Sequence, residues 1–136
     1  MIISRRVTIV RVSRPTEGDK DINKKLQWFG DSLGLFNLRD KDKSCFRVFI
    51  ELLKAAKLRQ PLSSDEIALK LGLTRGTVVH HLDKLMGSGI VVTQRNRYML
   101  RVDNLRDLVE EIRHDVNKTC DGLAEVADQI DHALGI

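Results

Sequence analysis

The 136-residue sequence predicts a mainly α fold with a small β-hairpin (α+β), built as one compact body followed by a long C-terminal helix. Three observations lead there. After residue 21 the apolar residues recur at spacings of three and four, the pattern of amphipathic helices. Residues 90–101 break that rhythm with two short runs, IVVT and RYMLR, on either side of a polar QRN tip, which reads as a hairpin. Residues 105–133 then hold a 4-3 apolar repeat free of proline.

Taken in order, IISRRVTIVRV (2–12) is rich in Ile and Val and short enough for a strand, ended by RPTEGD (14–19). Its Arg5, Arg6, Arg11 and Arg14 read either as a phosphate-gripping arm or as edge charges that block aggregation, the second being favoured. From Asp21 onward, Ile22, Leu26, Phe29, Leu33 and Phe36 form a helix stripe, capped by Asp19 or Asp21 and ended by Gly34. NLRDKDK (37–43) is a charged loop. A helix beginning near Ser44, with Phe46, Phe49, Ile50, Leu53 and Ala56 on one side, stops before Pro61.

Ser63 and Glu66 stand as a capping box for a short helix over 64–71, with Ile67, Ala68 and Leu71 inward. Gly72 follows where a left-handed backbone suits glycine. Thr74 caps the next helix only a few residues later, so the two helices must cross steeply. In that next helix Val78, Leu82 and Leu85 share one stripe. At about 100° per residue, His80 lies about 200° from Val78 and faces outward, whereas His81 lies about 60° away, at the edge of the interior. His81 is therefore expected to be a hydrogen-bonded packing residue. The outward face offers Arg75, Gly76, Thr77, Val79, His80 and Lys84, and the hairpin tip adds Arg95, Asn96 and Arg97.

Charge separates along the chain. Residues 1–101 hold 20 Lys and Arg against 10 Asp and Glu, while residues 102–136 hold 3 against 9. A basic body suits a polyanion, because neutralised phosphates release condensed counterions. Cys45 and Cys120 have no paired spacing, which argues against a disulfide scaffold. With no apolar signal segment or membrane span, this places the protein in the cytoplasm. His80, His81, His114, His132 and the two cysteines form no ligand cluster, so no metal or other cofactor is expected. No nucleophile triad, phosphate loop or isolated carboxylate pair stands in a recognisable context, which argues against an enzyme.

The ordered positions Ala68, Gly72, Val78, Leu82, Leu85 and Gly89-Ile90-Val91, followed by the basic hairpin, resemble the winged helix-turn-helix of bacterial and archaeal transcription regulators. EIALKLGLTRGTVVHHLDKL in particular is similar to the ArsR/MarR-type proteins. The likeness covers residues 44–101. It implies sequence-specific double-stranded DNA binding, with recognition helix 75–87 in the major groove and wing 90–101 on the backbone or minor groove. An α-helix fits the major groove, and only its outward face reaches base edges. Thr77 and His80 then read bases, Val79 meets a thymine methyl, Gly76 lets the backbone come close, and the helix start at Thr74 receives a phosphate. Arg75 and Lys84 serve phosphates or guanine, and Arg95, Asn96 and Arg97 lie on the backbone or in a narrow minor groove. The alternative role is a winged-helix protein-docking module of a transcription or replication assembly.

In the C-terminal repeat, Val109, Val116, Leu123 and Ile130 fall at a, and Leu105, Ile112, Thr119, Val126 and Ala133 at d. A lone helix with such a stripe must bury it, and a homodimer is the favoured solution. Leu105, Val109, Ile112, Val116, Leu123, Val126 and Ile130 are thus the expected seam. The resulting organisation is 1–43 supporting the dimer, 44–101 binding DNA and 102–136 pairing two copies. The expected partners are duplex DNA and a second copy, without a membrane. Whether a small-molecule effector exists is not legible in the sequence.

Overall fold

The computed structural model describes residues 20–35 and 43–136. The expected strand over 2–12, its four arginines, Phe36 and nearly all of the charged loop lie outside the described residues. The chain divides into two units, one up to Asn104 and the other from Leu105 to Ile136.

Among the described residues the first unit contains α1 (Ile22–Ser32), α2 (Ser44–Lys57), β1 (Leu62–Ser63), α3 (Ser64–Leu71), α4 (Arg75–Gly87), β2 (Val91–Gln94) and β3 (Arg97–Leu100). Asp21 caps α1, its carboxylate accepting the Asn23 amide at 3.0 Å. The helix stops at Ser32, one turn short of the expected stripe. Leu33 takes the C-cap, and Gly34 turns left-handed with φ +66°.

The buried side of α2 differs from the expected one. Cys45, Val48, Phe49, Leu52, Ala55 and Ala56 are buried, while Phe46, Ile50 and Leu53 are only half-buried. SCFRVFIELLKAA is apolar most of the way round, so its periodicity does not single out one face. The same helix buries Glu51, which lies 2.9 Å from the Lys70 ammonium of α3 and 3.6 Å from that of Lys54. Lys70 is not aligned for a hydrogen bond to the nearer oxygen, so charge rather than direction holds the pair.

The turn follows its sequence closely. Ser63 Oγ accepts the Glu66 amide at 3.0 Å and starts α3. Gly72 closes that helix at φ +67°, a conformation costly for a side chain bearing Cβ. The amides of Gly72 and Leu73 both donate to the Ala68 carbonyl. The Arg47 guanidinium of α2 donates to the Leu71 carbonyl and so binds the end of α3 to the core helix. Packing of α2 on α4 and β3, and of α3 on α4, gathers Phe49, Leu52, Ile67, Leu82, Leu85 and Ile90 into one buried cluster.

β2 and β3 pair antiparallel from Val91↔Leu100 to Gln94↔Arg97, and β1 pairs with the other side of β3. The strand β1 was not expected: at two residues it is too short to show alternation. The hairpin tip is also tighter than the QRN reading. Only Arg95 and Asn96 form it, both left-handed at φ 54° and 62°, as a two-residue type I′ turn demands. Arg97 is the first residue of β3.

The second unit is α5 (Leu105–Leu134), a single helix. Along it Leu108 and Ile112 are buried, Leu105, Val109 and Val116 are half-buried, and every residue from Asn117 on is exposed.

Candidate nucleic-acid interface

Thr74 places the start of α4. Its Oγ1 accepts the Thr77 amide at 3.1 Å and donates to Thr77 Oγ1 at 2.8 Å. The Thr77 hydroxyl is therefore oriented by the cap while its own proton stays free for an outside acceptor. No acidic residue stands in the first turn of α4. The first turn of α3, by contrast, carries Asp65 and Glu66. Of these two helix starts, that of α4 keeps the positive end of its dipole unneutralised by its own first turn.

Inward, Val78, Leu82 and Leu85 are each 0% exposed, which fixes the rotation of α4 about its axis. Outward, Arg75, Gly76 and His80 are exposed, and Thr77 and Val79 are half-buried. The two histidines part as their angular positions require. His80 is exposed, whereas His81 is half-buried with its Nε2 2.6 Å from Oγ of the buried Ser44. His81 thus joins α4 to the first residue of α2.

Three expected contacts are engaged within the protein. Lys84 turns back from the outward face and donates from Nζ to the Leu35 carbonyl at 2.8 Å, because its stem is long enough to return. Arg97 Nη1 lies 2.8 Å from Glu66 Oε1 and also donates to the Pro61 carbonyl. Arg75 Nε lies 3.6 Å from Asp65, in a pair where both side chains are largely exposed. Arg95 and Asn96 remain exposed at the wing tip, and no ion pair joins Arg95 to a described residue. Asp83, whose charge is unfavourable beside phosphate, is exposed on the outward side of α4. Among the described residues no group of three His, Cys, Asp or Glu is placed to hold a metal ion, and no helix is long and apolar enough to cross a membrane.

Sequence periodicity could not reveal Asp65 and Glu66 as partners of the basic face. They lie on a different element from the arginines they meet, and only the crossing of α3 with α4 and the docking of β3 bring them together. The capping-box reading did single out the Glu66 side chain, but as a partner for the backbone at the start of α3, not for Arg97, which its carboxylate meets.

Gly76 makes the exposed face unusually low. A Cβ built there meets nothing within 4 Å, so the glycine is not demanded by the protein's own packing. Gly76→Ala is expected to stabilise the fold by up to about 1 kcal/mol, read as a higher midpoint of thermal unfolding. If DNA backbone or bases approach α4 at this point, the same change lowers duplex affinity. Higher stability with unchanged affinity would show that nothing docks over Gly76.

Residues 50–93 match the model of the bacterial regulatory protein family arsR, a stretch running from within α2 to within β2, about a third of the chain. No curated protein and no solved structure matches the chain. The matched stretch contains α3, the glycine turn and α4, and β3 completes the wing beside it; residues 50–93 thus form a winged helix-turn-helix segment similar to those of the arsR regulators, a family that binds DNA to control transcription.

Proposed function

We propose that this chain is a dimeric, sequence-specific double-stranded DNA-binding regulator of transcription, acting in the cytoplasm. Recognition helix 75–87 enters the major groove, and wing 90–101 lies on the backbone or minor groove. One observation carries this reading. The core stripe of α4 is sealed at 0% exposure while Arg75, Gly76 and His80 are left outward on the opposite side. A rod whose rotation is locked presents a constant set of groups, which base readout requires. His80, the half-exposed Thr77 and Val79 are the base-reading set, and Arg75 lies on the boundary between bases and phosphates. Lys84 contributes through the body, since its ammonium is held by Leu35.

The wing supplies Arg95. A left-handed arginine costs roughly 1–2 kcal/mol, which Asn or Gly would avoid. An arginine in this costly conformation at the tip supports a role for its charge. The second copy is assigned to the C-terminal part of α5, where Leu123, Val126 and Ile130 are between half and two-thirds exposed. Two recognition helices related by a two-fold axis would then meet a roughly palindromic site about one helical turn apart.

The test is a gel shift over a salt series, with duplexes selected for binding set against random ones. Arg95→Asn suits the left-handed turn better than arginine does, so any lost affinity comes from the charge. It is expected to reduce the salt slope by about one unit on both duplexes. His80→Ala is expected to narrow the gap between selected and random duplexes with little change in slope. Absence of duplex binding at any salt would remove the reading in favour of protein docking.

A further inference from the structure

We propose that Glu66 competes with the DNA backbone for Arg97, so that the wing's second arginine engages duplex DNA only by exchanging this carboxylate for a phosphate. This rests on the DNA-binding reading and deepens it. Arg95 and Arg97, the two arginines nearest the wing tip, differ in their surroundings. Arg95 stands at the tip, unpaired among the described residues, whereas Arg97 Nη1 lies 2.8 Å from Glu66 Oε1. Both partners are about half exposed, so the pair is open to an incoming anion. It is also weak enough to be replaced, as half-exposed pairs are.

The carboxylate is held where it can act in this way. Ser63 fixes the Glu66 amide at the start of α3, and Ser63 pairs with Arg97 across β1 and β3. The backbone register therefore sets Arg97 opposite the residue that caps α3, and the first turn of that helix carries Glu66 to it. Arg97 Nη1 also donates to the Pro61 carbonyl, so the guanidinium is held by one corner while its remaining N–H groups stay available. A phosphate reaching those groups meets the negative charge of Glu66 beside it. The Arg75–Asp65 contact repeats the arrangement at 3.6 Å with both side chains more exposed, and its effect should be smaller. In wild type the tip end of the wing thus presents one full positive charge, Arg95, and one that is largely neutralised, Arg97.

The experiment compares wild type, Glu66→Gln, Arg97→Gln and the double variant on one random-sequence duplex across a salt series. Glutamine suits this position of a capping box and leaves the Ser63 contact intact, so α3 keeps its start. Glu66→Gln is expected to bind about two- to five-fold tighter, with a salt slope steeper by about one unit. Both gains should vanish in the Arg97→Gln background. No gain, or a gain of equal size without Arg97, overturns the exchange while leaving DNA binding standing. If wild type binds no duplex at any salt, the exchange falls together with the reading beneath it.

Discussion

A chain carrying Leu123→Asp with Ile130→Asp is expected to sediment as a monomer and to bind a duplex with two half-sites about 10²–10⁴-fold more weakly than wild type. Leu123 is 66% exposed, Val126 and Ile130 are each 51% exposed, and together they continue the 4-3 repeat. Burial of each such side chain is worth roughly 1.5–3 kcal/mol, which a single helix in water cannot gain. Pairing two copies gains it twice over. Aspartates at two a positions of each chain would place four carboxylates in an apolar seam, where an unpaired charge is strongly unfavourable.

Ile112 is less suitable for this purpose, although it belongs to the same repeat. It is 6% exposed, so a charge there would perturb the fold whether or not a second copy binds. The two exposed positions separate the questions. Sedimentation reports association, circular dichroism reports the fold, and binding to an isolated half-site should survive. A double variant that still sediments as a dimer would exclude this part of α5 as the seam.

The second large effect is on stability. Leu82→Ala is expected to cost about 2–5 kcal/mol, seen as a lower denaturation midpoint with an unchanged slope against denaturant. Leu82 is 0% exposed, between Val78 and Leu85 on the side of α4 that meets α2. The lost methyl groups leave a cavity that neighbouring helices close only in part. Gly76, on the other face of the same helix, should respond with the opposite sign. A cost below about 1 kcal/mol at Leu82 would mean that the core stripe does not lock the helix, and a defined outward face would no longer follow.

Much of the helix-turn-helix was legible because its signals are local. A serine, a threonine and a glycine at set offsets decide where α3 and α4 begin and where the chain reverses. The 3.6-residue period then separates His80 from His81 without knowledge of any neighbour. The hairpin was legible for the same reason, though its tip was read one residue too long. Alternation cannot tell whether Gln94 ends the strand or begins the turn. The inward face of α2 was not legible, because apolar residues surround most of that helix.

The sequence by itself determined the order of the helices, the reversal at Gly72, the outward position of His80 and the apolar repeat of α5, since each depends on residues within a few positions of one another. Only the tertiary structure decided which cations stay available. Lys84 is drawn to Leu35 and Arg97 to Glu66 across sequence separations of 49 and 31. Charge acts through space, and a composition that counts every lysine and arginine alike does not record which of them already has a partner.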